Sequence, residues 1–300
     1  MSAIEALLNE CHQEMEDGDV DVGFNLLSEG LTELRMSCQG TAWSSQILPA
    51  CKVHALAALL QEDPYTHRAV LKPRGYAGDA VMMDYLYFQT PPVGCSQKGK
   101  QIFHAVTTSP NGASVRWRRR HIAELIGRQA AHKKGKLSVL SVACGHCREG
   151  LLLSRETQER MGSFVALDHD QESLDVVRAS LEHVIQPLHL SIKQLLTHEQ
   201  SQTFDLVYSA GLYDYLSEQA AIDLTNLLFK RTAPGGTLMI ANFTPDNWGR
   251  GYMEAFMDWQ LVLRNKDDMR RLIPPAGVAG TQLYFDPYRN VIYLKMLKAV

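Results

Sequence analysis

The sequence predicts an α/β fold: a mostly parallel sheet covered by helices, closed by an antiparallel hairpin and preceded by a helical cap. Three observations carry that prediction. From Lys136 onward, short β-rich apolar runs alternate with helical stretches, the pattern of a parallel sheet covered on both faces. The last two apolar runs, TQLYFDP and NVIYLKML, are separated only by a tight turn around Pro287–Asn290, as in a hairpin. The first 135 residues instead carry apolar residues at helical spacing with few β-branched runs.

Taken in order, residues 3–17, 19–38 and 41–61 read as helices; Phe24, Leu26, Leu27, Leu31 and Leu34 illustrate the spacing. Two prolines and two glycines in DPYTHRAVLKPRGYAGDA predict a structured loop over 63–80. MMDYLYF resumes a helix, and residues 90–100 form a second loop. A helix from about Asn111 to Ala131 bears Arg116, Arg118, Arg119 and Arg120, which read as a solvated face. KLSVLSVA is then the first strand, followed by a small-residue turn and the helical stretch EGLLLSRETQERM. SFVALD, LHLSIKQL, FDLVYSA and GTLMIANF are the next four strands. QESLDVVRASLEHV and SEQAAIDLTNLLFKRTA are helices between them. The expected division is a helical cap over 1–135 and a sheet domain over 136–300.

The totals restrict the function classes. A chain of 300 residues with 45% hydrophobic composition holds one large domain, or a full domain plus a smaller one. Charged residues make up 21% and the formal net charge is −3, which gives no long-range attraction for nucleic acid or an anionic membrane. The expected partner is a small-molecule substrate, with no nucleic acid and no membrane insertion. The N-terminus lacks a basic region followed by an apolar run, and no apolar stretch reaches the roughly eighteen residues of a membrane span. Cys11, Cys38, Cys51, Cys95, Cys144 and Cys147 are scattered and read as free thiols, and the cytoplasm is the expected location.

The chemistry concentrates after the first strand. A turn of small residues there lets the backbone approach a ligand and presents N–H groups. In Val142-Ala143-Cys144-Gly145-His146-Cys147, the small positions are Ala143, Gly145 and Cys147. Asp168 ends the second strand, 23 positions after Gly145, where a carboxylate accepts from both hydroxyls of a ribose. The CGHC run also matches the spacing of a redox dithiol, although such domains are smaller and order their strands differently. One CxxC cannot complete a structural zinc site, so no metal is expected.

On VLSVACGHCRE, ALDHD, FDLVYSAGLYDYL and APGGTLMIANF, residues 136–300 resemble the class I S-adenosylmethionine-dependent methyltransferases. The resemblance implies a Rossmann-like seven-stranded sheet with S-adenosylmethionine as cofactor. It implies that Ala143, Cys144 and Gly145 face its methionine part, that Asp168 and the adjacent His169 serve the ribose, and that Gln194 and Leu195 flank the adenine. Ser209, Ala210 and Gly211 would line the pocket beside the sulfonium. Two departures stand out: Ser141 occupies a position that is often acidic, and Cys147 replaces a glycine. A narrower resemblance rests on DPYTHRAVLKPRGYAGDAVMMDYLY, YSAGLYDYL and NFTPDNWGRGYMEAFMDWQLVLRN. These look like a bacterial group that includes the enzymes making 3-hydroxy fatty-acid methyl ester signals, and this implies O-methylation of a carboxylate.

Methyl transfer to an acceptor that is already anionic needs alignment and exclusion of water rather than a strong base. Aromatic faces stabilise a sulfonium, which makes Tyr76, Tyr213 and Tyr215 candidates for the wall of the site, against core packing. Arg74, in Arg74-Gly75-Tyr76-Ala77-Gly78-Asp79, offers a fork for a carboxylate, against a hinge stabilised by Arg74 and Asp79. Asn242, Asn247 and Arg250 follow the fifth strand, where ligands of open α/β sheets collect, against turn formation and helix capping. His121, His146 and His169 carry little evidence as catalysts. Trp248, Tyr252, Phe256 and Trp259 recur at helical spacing and read as packing. The catalytic candidates are therefore Tyr76, Tyr213, Arg74 and Asn242. Two other activities fit the same residues. One is intramolecular displacement of S-adenosylmethionine to methylthioadenosine and a cyclic amino acid such as azetidine-2-carboxylate, suggested by the altered glycine turn. The other is binding without turnover. The cap either shapes the acceptor pocket or forms a homodimer surface.

Overall fold

A computed structural model describes residues 2–197 and 202–300. The chain opens with α1 (Ala3–Asp17), α2 (Val20–Ser37), α3 (Leu48–Val53), α4 (Ala55–Leu60), α5 (Pro64–Leu71), α6 (Ala80–Phe88), α7 (Gln97–Thr108) and α8 (Pro110–His132). Then come β1 (Leu137–Val142), α9 (Arg155–Glu159), β2 (Met161–Asp168), α10 (Gln171–Leu181), β3 (Gln186–His189), α11 (Ile192–Thr197), β4 (Phe204–Ser209), α12 (Glu218–Arg231) and β5 (Thr232–Phe243). The last elements are α13 (Arg250–Phe256), α14 (Lys266–Arg270), β6 (Val278–Phe285) and β7 (Val291–Lys298).

These elements form two compact units. The helical unit runs to Arg116 and takes in Pro245–Gln260; the sheet unit comprises Trp117–Thr244 and Leu261–Val300. The sheet unit thus begins before residue 136 and is interrupted by a segment that belongs with the helices.

In the sheet unit, the described strands form a seven-stranded sheet in the order β3-β2-β1-β4-β5-β7-β6. The first five are parallel, and β7 runs antiparallel to both β5 and β6. This is a Rossmann-like arrangement in which the order reverses beside β1, so the carboxyl ends of β1, β2 and β4 open on one edge. Alternation sends Leu140, Val142, Val207, Leu238 and Ile240 to one face, in a core with Leu224 and Leu228 of α12. On the other, Tyr284 stacks on Tyr293 at 5.3 Å, and Trp117 of α8 stacks on His121 at 4.4 Å.

The helical unit is closed by small residues and aromatics. A Cβ at Gly251 would stand 2.4 Å from the backbone of Leu31, so α13 seats on α2 only without a side chain there. Tyr252 packs edge-on against Phe24 at 5.0 Å, and its hydroxyl meets Thr66 Oγ1 at 2.7 Å. Phe256 packs against Tyr252, and Trp259 against Tyr65, so the aromatic series is packing within this unit.

Four local expectations need correction. Residues 64–71 are helical, because Pro64 stands in the first turn, where no N–H is missed, and the buried Asp63 caps Tyr65 and Thr66. Residues 97–108 form α7, capped by Ser96 on Gly99, so the second loop ends before residue 100. The third strand lies at 186–189, and the run after it turns into α11 because Ser191 Oγ accepts from Gln194 N. EGLLLSRETQERM is not one helix: a 3-10 turn (Arg148–Leu152) gives way to α9 across Leu153 and Ser154, the latter capping α9 on Thr157.

Candidate active site

The turn after β1 is built from alternating left-handed residues. Ala143, Gly145 and Cys147 have φ of 54°, 53° and 48°. These are the three small positions picked out in the sequence, and only one is glycine. For an L-residue the left-handed region costs about 1–2 kcal/mol, so the turn holds Ala143 and Cys147 under strain. Hydrogen bonds hold it there: Cys144 N donates to Leu167 O at 3.0 Å, and Cys147 N to Cys144 O at 2.9 Å. A 3-10 turn over Arg148–Leu152 and the five-residue α9 follow it, rather than one long helix.

Asp168 ties the turn to β2. It is 4% exposed. One oxygen accepts from Gly145 N at 2.8 Å and the other from Asp170 N at 2.9 Å. Each carboxylate oxygen has a second lone pair, so acceptor capacity remains for a ligand. His169 places Nδ1 3.3 Å from Asp168 Oδ1, and its carbonyl meets His189 Nε2 at 3.0 Å.

Beneath the turn lies a polar cluster that the sequence reading missed. Glu149 is buried, and its Oε1 accepts from Tyr208 Oη at 2.5 Å and from Cys147 Sγ at 3.6 Å. Burial pushes the Tyr208 phenol and the Cys147 thiol well above their ordinary ranges, and the charge of Glu149 adds to it. Burial does the same to Cys144, aided by Asp168. Both cysteines are free thiols, and neither is a ready thiolate, so CGHC acts as a turn rather than a dithiol centre. A carboxylate two residues beyond the last small position was the available signal.

At the carboxyl end of β4, Ser209 Oγ donates to Val142 O at 3.0 Å. Arg118 lies along the next two residues: its Nη1 donates to Ala210 O at 2.5 Å, and a Cβ at Gly211 would stand 3.9 Å from both Nη atoms. The arginine run of α8 is therefore not a solvated face. Arg118 is 6% exposed, Arg116 donates to Thr107 O and Leu86 O, and of the four only Arg120 is exposed.

Two catalytic candidates are taken up by the fold. Tyr213 is fully buried in the core, with its hydroxyl 2.9 Å from Thr225 Oγ1. Asn242 donates to Phe243 O and Val262 O and accepts from Arg264 Nη1 at 2.7 Å. Arg264 also donates to Tyr213 O and Leu216 O, which locks the ends of β4 and β5 together. Between these strands, Asp214 Oδ1 accepts from Phe243 N at 2.7 Å. Burial pushes the Asp214 carboxyl up to about 7, against the lowering influence of that N–H, Arg118 and Arg264. Neither Asp214 nor Arg264 carries a local sequence signal, since the loop after α13 delivers Arg264.

The remaining candidates are dispersed. Gln194 is exposed, with Oε1 accepting from Ser191 N and Oγ, while Leu195 belongs to the core. Arg74 and Tyr76 lie in the helical unit, half-buried, in a loop where Gly75 and Gly78 have φ of 87° and 79°. Asp79 there caps α6 and pairs with Arg68 at 2.7 Å. Asn247 and Arg250 also belong to the helical unit: Asn247 accepts from Asn111, and Arg250 pairs with Glu254. Among the described residues no three His, Cys, Asp or Glu side chains converge as metal ligands, and no helix is long and apolar enough to cross a membrane.

Residues 139–236, from β1 into β5, match the family of methyltransferase domains. The match lies within the sheet unit and points to a transferase, and the polar turn with Asp168 fits S-adenosylmethionine. No curated protein sequence matches the chain. A solved structure described as a possible exported protein from Bordetella parapertussis is similar over 100% of this chain and 98% of its own, with 18% identity and a TM-score of 0.64. The S-adenosylmethionine-dependent methyltransferase SibL is similar over 99% and 96%, with 15% identity and a TM-score of 0.49. Magnesium protoporphyrin IX methyltransferase from Synechocystis PCC 6803 is similar over 63% and 87%, with 11% identity and a TM-score of 0.48. At these identities the likeness concerns the fold.

Proposed function

We propose that this protein is a class I S-adenosylmethionine-dependent methyltransferase that O-methylates the carboxylate of a small or lipid-like metabolite in a cytoplasmic biosynthetic pathway. The observation that carries the reading is the strained turn after β1 tied to Asp168. It combines a backbone able to approach a ligand with an acceptor for ribose hydroxyls. Ala143, Cys144, Gly145, Asp168 and His169 would hold the cofactor, with Gln194 on the adenine side. When bound, S-adenosylmethionine supplies an electrophilic methyl group.

A carboxylate acceptor is favoured by Arg118, a buried guanidinium laid along Ala210 and Gly211 beside the end of β4. A guanidinium fork matches a carboxylate, and a carboxylate needs no proton removed before it accepts a methyl group. Ser209, Ala210 and Gly211 fix the position of that strip. Arg74 and Tyr76 are proposed as acceptor-side residues on the strength of the RGYAGD sequence. The narrower grouping with makers of 3-hydroxy fatty-acid methyl esters points to 3-hydroxy acids as the first acceptors to try.

The test is mass spectrometry of the protein incubated with S-adenosylmethionine, alone and with 3-hydroxybutanoate, 3-hydroxydecanoate or 3-hydroxyhexadecanoate. The expected result is a methyl ester together with S-adenosylhomocysteine, both lost in Asp168→Ala. Methylthioadenosine appearing without acceptor would replace this reading by intramolecular displacement. Binding of the cofactor with no product under any acceptor would indicate a protein that binds without turnover.

A further inference from the structure

We infer that Lys266 and Arg289, gathered on the ring of Phe285, form a binding site for a phosphate group. Neither residue belongs to the proposed cofactor or acceptor site.

Phe285 is the last residue of β6. It pairs with Ile292 of β7, which pairs in turn with Asn242 near the end of β5. The ring therefore lies on the carboxyl edge of the sheet, where ligands of open α/β sheets collect. Lys266 Nζ stands 5.1 Å from its centroid and Arg289 Cζ 4.7 Å. The two charges are thus within about 10 Å of each other, about one Debye length at moderate salt. They arrive from separate places, Lys266 from the first turn of α14 and Arg289 from the turn between β6 and β7, and both are exposed.

The acids around them are already engaged. Asp267 pairs with Arg270, while Asp268 and Glu218 pair with Arg271. The buried Asp286 accepts from Tyr288 N and Val291 N. Among the described residues neither Lys266 nor Arg289 forms an ion pair. Two like charges on one ring repel each other, and a bound anion turns that repulsion into two charge-assisted contacts.

The backbone at Arg289 adds an independent observation. Its φ is 61°, in the left-handed region that glycine enters without cost and arginine does not. The turn thus holds an arginine where its backbone favours a smaller residue, and the side chain it presents is one of the two cations. The ring also limits the freedom of both side chains, so less order remains to be imposed when an anion binds. A phosphate matches the pair better than a carboxylate does: it carries up to two charges, and its oxygens suit both an arginine fork and a lysine point charge. Arg118, at the end of β4, is three strands away from β6, about 14 Å at the usual strand spacing. A small hydroxy acid held at Arg118 does not span that distance, so the phosphate site is a second site on the same edge.

The experiment is calorimetric titration of the full chain with inorganic pyrophosphate at low and at physiological salt. The proteins are wild type, Lys266→Ala, Arg289→Gly, the double variant, and Lys52→Ala as a control at an exposed lysine of the helical unit. The formal net charge of −3 gives no general attraction for the probe, so saturable binding reports a local site. Wild type is expected to bind at one site, more weakly as salt rises. Each single variant is expected to lose about 2- to 5-fold and the double variant on the order of 10-fold, the range of exposed charge contacts. Arg289→Gly suits the left-handed backbone, so it removes the charge without loss of fold. Lys52→Ala changes the net charge equally and is expected to bind as wild type does. The inference is overturned if wild type shows no saturable binding, if Lys52→Ala loses as much as the site variants, or if the double variant binds within twofold of wild type.

Discussion

Replacing Asp214 by Asn should make the protein more stable at alkaline pH and leave it nearly unchanged in acid. Asp214 is buried where β4 and β5 end, and burial pushes its carboxyl up to about 7 from an ordinary 3.8. A carboxyl with a raised folded-state value is favoured in its protonated form by folding. Between pH 4 and 7 the native state binds more protons than the unfolded chain, so stability falls as pH rises through that window. The shift corresponds to about 4 kcal/mol at about 1.36 kcal/mol for each pH unit. Asn keeps an oxygen to accept from Phe243 N and carries no charge to bury. Urea unfolding of wild type and Asp214→Asn at matched pH isolates this group. The raised Asp63 carboxyl, at about 6, and the lowered His121, at about 4, contribute to both proteins and cancel in the difference. The expected difference is near zero at pH 4 and reaches on the order of 4 kcal/mol in favour of the variant at pH 8. A constant difference across that range would refute the assignment of a buried, titrating carboxyl to Asp214.

Other outcomes follow from the same geometry. Asp168→Asn should weaken S-adenosylmethionine roughly 10- to 100-fold by calorimetry, since a charged acceptor is lost while a neutral oxygen remains for Gly145 N. Ala143→Gly should change stability by less than about 1 kcal/mol in urea unfolding, because relief of the left-handed strain offsets the greater freedom of the unfolded chain; Ala143→Val should destabilise by more than that. His121 is held neutral by burial, so stability should be lost as pH falls from the ordinary histidine range toward about 4, and thermal melts of His121→Gln should lose less over that interval.

Apart from β3, whose QPLH carries no β-branched residue, the strands were legible because each holds a short run rich in β-branched and apolar residues between polar turns, and the closing hairpin because only a turn separates its two runs. The helices were less so where one residue type has two uses. Proline reads as a breaker, yet Pro64 opens α5 because the first turn needs no N–H from it. Ser191 reads as part of an alternating strand but caps α11. The turn after β1 and Asp168 were visible because small residues after one strand and an acid at the end of the next are each local patterns, which the parallel pairing of β1 and β2 brings together. Glu149 passed as the start of a helix, since its burial depends on Tyr208, 59 residues away. The arginines of α8 looked solvated because the carbonyl that Arg118 reaches, Ala210 O, lies 92 residues along the chain. Tyr213 and Asn242 were polar residues at the right edge of the sheet, and only their partners Thr225 and Arg264 reveal that they brace it.

The path of the chain between its two units bears on how the protein can be taken apart. It passes from helices to sheet at 116–117, returns at 244–245 and leaves again at 260–261, the last two crossings falling between β5 and β6. Neither unit is a contiguous stretch, so no single cut yields either of them whole. A protease that opened the loop after α8 would release a helical fragment lacking α13 and the Trp248–Trp259 aromatics, together with a sheet fragment still carrying them. The helical unit therefore both precedes the sheet unit and takes Pro245–Gln260 out of its final crossover, so deleting residues 1–116 would leave that segment behind without its helices.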